Sequence, residues 1–150
     1  MSSEEARTHS AVHVVKGAAR KVLGTKWTAS VYVSGKHGRL TVQAEAKPSE
    51  EEMARLEQAA NEKISEGAEI LEFEMEKQEA EGHFGDNIYD LFPVPDGVTR
   101  LKIVRIPEWN INCCNESHVE NTLQIGKLKM ETPRYRNSKK ELELGFDLVD

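Results

Sequence analysis

The chain is poor in the residue types that most often carry redox or nucleophilic chemistry. Among 150 residues there are two cysteines and five histidines, and 6% are aromatic. Cys113 and Cys114 are adjacent. Neighbours in sequence rarely bridge to each other, so no disulfide framework is available and a reducing, cytoplasmic setting is expected. No apolar run reaches the 18 residues that a membrane span needs, so no membrane partner is expected. The start, Met1-Ser-Ser-Glu-Glu-Ala-Arg, has no apolar signal core, so secretion is not expected. Neither a P-loop nor G-x-G-x-x-G occurs, so no nucleotide cofactor is expected. Repeats and low-complexity tracts are missing too. So is a surplus of basic charge. The chain has 20 Lys/Arg against 26 Asp/Glu, a formal charge of −6, whereas nucleic-acid binders are usually basic.

What is present suits one folded domain over 1–150, with no internal boundary. Thr8 to Leu23 reads as a helix, with Thr8 as N-cap and Gly24 just past its end. Val12, Val15, Ala19, Val22 and Leu23 form its apolar face. Thr28–Ser34 and Arg39–Glu45 alternate as strands around a Gly35-Lys36-His37-Gly38 turn. Ser49 and Glu52 make a capping box for a second helix running to about Glu66, stopped by Gly67. Ile70–Met75 and Thr99–Ile106 read as strands, and Glu76–Gly82 as a short helix between them. The segment from 84 to 97 reads as loop. Gly126–Arg136 and Glu141–Leu148 form a closing antiparallel pair around Asn137-Ser138-Lys139. This order lacks βαβ alternation and predicts an α+β fold, a two-layer domain with a mainly antiparallel sheet packed on helices.

The scarce histidines are placed suggestively. His9 and His13 are four apart, on one face of the first helix, where two imidazoles can reach one ion. Cys114 and His118 form C-x-x-x-H about 100 residues later. Imidazole and thiolate suit Zn²⁺, which prefers N and S donors in tetrahedral geometry. The two patterns arise together by chance in about 1% of chains of this composition. The helix pattern is not the zinc-protease H-E-x-x-H, because Ser10 stands where the basic Glu would be. Cys113 is a rival ligand, spaced C-x4-H from His118. A Cys–His nucleophile pair lacks a third orienting residue at any recognisable spacing. His37, in the hairpin turn, and His83 read as surface or loop residues. The plain alternative makes His9 and His13 solvent-facing and Cys114 a small buried hydrophobe.

Thr8-His-Ser-Ala-Val-His13, running into Lys21-Val-Leu-Gly24, resembles the helix that opens the editing domain of alanyl-tRNA synthetase. Cys114-Asn-Glu-Ser-His118-Val119, followed by Asn121-Thr-Leu-Gln-Ile-Gly126, resembles that domain's C-x-x-x-H-V segment and T-G-E-I-G tail. Phe84-Gly85-Asp86 and the strand Leu101–Ile106 fall where the family has its F-G segment and next strand. The resemblance runs from about residue 7 to 148 and includes no synthetase catalytic domain. It is therefore to freestanding editing proteins of the AlaX group, short form, known mainly from archaea.

That resemblance implies the fold shared by the alanyl and threonyl editing domains. It also implies a zinc-dependent trans-editing hydrolase with one Zn²⁺ per chain. The substrate would be the acceptor 3′ end of mischarged tRNA(Ala), bearing serine and perhaps glycine. His9, His13, Cys114 and His118 occupy the metal positions. A catalytic zinc-bound water would be held by His9, His13 and Cys114, with His118 loosely bound or orienting a neighbour; alternatively all four side chains bind. The chain departs from the family where Asn115-Glu116-Ser117 replaces x-G-T and where Leu123 replaces Gly.

A serine hydroxyl needs a polar partner in the pocket. Thr28 and Ser30, on the strand after the metal helix, are candidates, as are Asn112, Thr122 and Asn110. Two rival readings are a non-catalytic structural-zinc domain and an editing hydrolase for a different mischarged tRNA. The charge of −6 is also uneven. Residues 45–81 hold thirteen acidic and four basic residues, while 123–140 hold six basic and one acidic. Lys127, Lys129, Arg134 and Arg136 are thus the expected tRNA contacts, with the acidic second helix turned away. Charge reversal at Arg134 and Arg136 is then expected to raise KM more than reversal within 50–81.

Overall fold

The computed structural model describes residues 3–92 and 94–149. Helix α1 (Ser3–Leu23) carries Glu4 and Glu5 in its first turn and Arg20 and Lys21 in its last, matching the helix dipole at both ends. It ends where Gly24 takes φ +72° and donates its N–H to the Arg20 carbonyl at 3.0 Å. Thr8 is not the N-cap. The helix starts five residues earlier, and Thr8 is fully buried inside it. Its hydroxyl lies 3.0 Å from the Glu4 carbonyl and 2.7 Å from the Gly35 carbonyl, so it pins the first hairpin turn to the helix. Helix α2 (Glu50–Ser65) has the predicted Ser49/Glu52 capping box, and Gly67 takes φ +71° beyond its end.

Five strands form the first sheet: β1 (Thr28–Ser34), β2 (His37–Gln43), β6 (Lys127–Met130), β7 (Arg134–Arg136) and β8 (Glu141–Val149). The order is β1-β2-β8-β6, with β7 also on β8, and every pairing is antiparallel. The second sheet is β3 (Leu71–Glu76), β4 (Arg100–Ile106) and β5 (Asn110–Cys113), again antiparallel. Helix α3 (Lys77–Phe84) and a 3₁₀ turn (Gly85–Ile88) connect β3 towards β4. The α+β architecture with antiparallel sheets on helices is as expected.

Three local expectations differ. The first hairpin turn is only Gly35-Lys36, with Gly35 at φ +56°, so His37 and Gly38 are strand residues. The expected 126–136 strand is two strands, split at Glu131-Thr132-Pro133, where Pro133 has no N–H for a ladder. Strand β5 was not expected at all, because Asn is depleted in strands and two of its four residues are Asn110 and Asn112.

Two apolar clusters hold these layers together. The larger lies between α1, α2 and the first sheet: Ala11, Val14, Val15 and Ala18 meet Leu40, Leu56, Leu144 and Phe146, all fully buried. The smaller joins Ala80 and Ile88 to Leu101 and Ile103. Val104 belongs to the first cluster and Ile103 to the second, so β4 is covered on both faces. In β5 the residues alternate sides, and the alternation carries one residue past its end. Cys113 packs in the smaller cluster and Cys114, just beyond the strand, against the larger. That alternation removes Cys113 as a rival ligand.

Candidate metal centre

The two halves of the pattern meet. His9, His13, Cys114 and His118 bring their donor atoms within 4.8 Å of one another. Cys114 Sγ lies 3.5 Å from His9 Nε2 and 3.6 Å from His118 Nε2. His13 Nε2 and His118 Nε2 are 3.0 Å apart. Bonds of the usual Zn²⁺ length in a tetrahedron would place two nitrogens about 3.3 Å apart and a nitrogen and a sulfur about 3.6 Å apart. Among the described residues this is a ready set of four donors for a metal ion.

The outer hydrogen bonds fit that use. His13 Nδ1 lies 3.0 Å from Asn110 Oδ1, and His118 Nδ1 lies 2.7 Å from Glu72 Oε2. If each Nδ1–H donates outward to its oxygen, both Nε2 atoms carry lone pairs aimed at the same point. Two lone pairs at 3.0 Å repel unless a cation lies between them. Glu72 was not anticipated from sequence, and Asn110 was considered only as a pocket group. A signal existed for both: Asn110, Asn112 and, one residue past the strand, Cys114 recur every second residue along β5, as do Glu72, Glu74 and Glu76 along β3.

Burial sets the protonation of these groups. It is the largest cause lowering His9, with His118 adding to it, to about 4. Burial, then Lys16, holds His13 well below its ordinary value. Burial also lowers His118, although Glu72 opposes it, and burial raises the Cys114 thiol. Glu72 is pushed up by burial, but hydrogen bonds from His118 and Lys102 outweigh this and leave it lowered. The imidazoles are thus held as neutral ligands. In chelator-treated protein the unfolded chain takes up histidine protons near 6.5, while folded His9 resists until about 4. The unfolded state binds more protons in that window, so stability falls as the pH is lowered through it. Urea midpoints at pH 7 and pH 5 measure this; an unchanged midpoint would contradict it. Glu72→Gln, which removes the charge behind His118, is expected to weaken metal affinity about tenfold in a competition titration.

Asn110, which bonds His13, also lines a cavity of about 300 Å³, together with Lys16, Thr28, Asp90 and Asn112 among others. Lys16 reaches Asn112 Oδ1 and, at 3.3 Å, Asp90. Asn112 Nδ2 donates to the Ile88 carbonyl at 3.0 Å and lies 3.2 Å from Asp90, so this side chain is committed to the cavity wall. Thr28 is buried and lines the cavity, and its hydroxyl has no partner among the described residues. The other candidates lie elsewhere. Ser30 is exposed and outside the cavity lining. Thr122 is fully buried, with its hydroxyl against the Lys63 and Ile64 carbonyls and accepting from Ala68 N–H, so it docks the end of α2. Lys127, Lys129, Arg134 and Arg136 are exposed on β6 and β7, and Arg136 is paired with Glu143 at 3.0 Å. His37 lies 3.1 Å from Asp147, and His83 is exposed beside Phe84.

The fold and site thus define an α+β domain with a partly buried three-histidine, one-cysteine donor set able to hold a metal ion. No family model matches the chain. Its homologues among curated proteins are alanine–tRNA ligases. It is 36% identical over 125 residues to that of Saccharolobus islandicus and 38% over 125 residues to that of Staphylothermus marinus. It is 34% identical over 125 residues to that of Methanopyrus kandleri. Each alignment covers 83% of this chain but only 13–14% of the ligase, so the chain spans about one-seventh of the length of these relatives. No helix among the described residues is long and apolar enough to cross a membrane.

Proposed function

We propose that the chain is a hydrolase that deacylates mischarged tRNA(Ala), chiefly Ser-tRNA(Ala), at a zinc site held by His9, His13, Cys114 and His118. The observation that carries this reading is the convergence of the four donors within 4.8 Å, with Asn110 linking His13 to a cavity. Similarity to a segment of alanine–tRNA ligases points to the tRNA(Ala) system. The donor chemistry, one thiolate with three imidazoles, favours Zn²⁺ over oxygen-seeking cations.

Zinc, when bound, would supply Lewis acidity and lower the pKa of water. The chain's own residues do the rest. Asn110 and Glu72 orient two of the imidazoles. The Thr28 hydroxyl offers a hydrogen bond that a seryl group can meet and an alanyl group cannot. An aminoacyl ester is already activated, so positioning and charge stabilisation suffice.

The test is deacylation of Ser-, Gly- and Ala-tRNA(Ala) by wild type and His9→Ala. Hydrolysis of Ser-tRNA(Ala) by wild type and its loss in His9→Ala are expected; no hydrolysis by wild type would end this reading. Thr28→Val is expected to slow Ser-tRNA(Ala) deacylation about tenfold or more while metal content stays unchanged. One observation favours a second reading. Four protein donors, rather than three, are typical of a closed structural site. A structural metal holds the fold, so chelation would unfold the chain. Under the catalytic reading the larger apolar cluster keeps the chelated chain folded but inactive.

A further inference from the structure

The cavity that Asn110 lines has a basic mouth. Lys16, Arg20, Lys26 and Arg105 line it. Two of these charges are offset: Lys16 by Asp90 at 3.3 Å and Lys26 by Asp86 at 2.8 Å. The other two make no ion pair among the described residues. The Arg20 guanidinium lies 3.5 Å from the neutral Asn87 Oδ1 and feels, at longer range, the Asp86 carboxylate that Lys26 already holds. Arg105 lies 5.8 Å from the Phe84 ring centroid. Glu108 is the remaining acidic residue of the lining.

A second groove, of about 680 Å³, shares Thr25 and Lys26 with the cavity. It runs past Trp27 to Lys47, Lys139 and Lys140. Glu45 and Glu52 also line it, but Glu52 is tied to the Ser49 N–H in the α2 cap. Lys26 sits 4.8 Å from the Trp27 ring centroid. The two grooves share lining residues and make one tract of cations, with aromatic faces beside it, ending at Asn110, whose side chain holds His13. Proteins that hold single-stranded nucleic acid combine these two features, a positive groove and stacking faces. Arginine forks suit phosphate in particular.

We propose that the single-stranded 3′ end of the RNA lies in this tract, entering past Lys139, Lys26 and Trp27, with Arg20 and Arg105 holding phosphates at the cavity mouth. The assignment rests on the reading of the site as one that acts on tRNA. It moves the RNA contact away from β6 and β7. Lys127, Lys129, Arg134 and Arg136 line neither groove, and Arg136 is already paired.

The experiment uses deacylated tRNA(Ala), so it reads binding without hydrolysis. Anisotropy titrations over a range of salt compare wild type with Arg20→Glu, Arg105→Glu, Arg134→Glu and Arg55→Glu, the last an equal charge change on exposed α2. Arg20→Glu and Arg105→Glu are each expected to weaken binding about tenfold and to lower the salt slope by about 1. Arg134→Glu and Arg55→Glu are expected to stay within about twofold. RNA trimmed of its single-stranded 3′ end should bind wild type more weakly and show no penalty for Arg20→Glu. Equal penalties at all four positions, a larger one at Arg134, or full retention of the Arg20 penalty with trimmed RNA would overturn the proposal. Should a reversal disturb folding by circular dichroism, the Arg20→Gln and Arg105→Gln pair should keep the same rank order. Tight binding through Arg20 without ester hydrolysis would sink the proposed function and leave this tract standing. Hydrolysis with no penalty at Arg20 would do the opposite.

Discussion

His13→Ala is expected to lose both the bound metal and ester hydrolysis. His13 is 1% exposed, so no solvent ligand can readily take its place. Its Nε2 stands 3.0 Å from that of His118, and its Nδ1 is held by Asn110. Removing the ring leaves three donors, opens a buried void and releases the Asn110 contact that fixes the β4–β5 turn against α1. Loss of about a thousandfold in deacylation rate corresponds to about 4 kcal/mol of transition-state stabilisation. Metal per chain, measured by atomic emission, should fall from one to near zero. His83→Ala, an exposed change on α3, should alter neither. A metal-loaded, active His13→Ala protein would contradict the assignment.

Gly17→Ala is expected to destabilise the chain, although this change usually strengthens a helix by about 1 kcal/mol. A Cβ at Gly17 would lie 2.2 Å from Trp109 Nε1 and 2.3 Å from Cδ1. The indole cannot step aside cheaply. Its N–H donates to the Val14 carbonyl at 3.0 Å, and Lys21 and Lys63 lie 5.6 and 4.8 Å from its ring centroid. The turn beneath it is also fixed: Trp109 N–H bonds the Ile106 carbonyl at 3.0 Å, and Glu108 sits at φ +59°. Overpacking of this kind costs about 1–3 kcal/mol, which for a chain this size lowers Tm by roughly 3–10 °C. The effect should reach the site, because Trp109 immediately precedes Asn110. Metal affinity should therefore fall with Tm. A higher Tm for Gly17→Ala would show that the indole does not seal this helix face.

The four candidate metal donors were readable from the sequence because scarce residues in short spacings need no knowledge of the fold. His9 and His13 share a helix face by periodicity alone, and Cys114 and His118 are one loop apart. The capping box of α2, the hairpin β1–β2 and the alternation of β4 were equally local. What the sequence hid was set by tertiary contact. Thr8 looks like a cap, but the Gly35 carbonyl and its own i−4 carbonyl satisfy its hydroxyl inside a longer helix. Thr122 looks like a pocket residue and is a brace for α2. Asn110 and Asn112 are poor strand formers, held in β5 by pairing with β4 and by bonds to His13, Lys16 and Ile88. Glu72 is one acid in a strongly acidic stretch, and only the approach of β3 to His118 sets it apart. The basic residues of 123–140 formed a true charge excess, yet Lys127, Lys129, Arg134 and Arg136 lie away from the cavity while Lys139 and Lys140 border the groove that meets it.

One measurement tests the central claim most directly: Ser-tRNA(Ala) deacylation by the same preparation before chelation, after chelation and after Zn²⁺ is restored, with circular dichroism at each stage. The expected result is hydrolysis at least about a hundredfold above the spontaneous rate, lost on chelation while the chain stays folded, and recovered with zinc. Intact Ser-tRNA(Ala) at every stage, or hydrolysis indifferent to the metal, would contradict it.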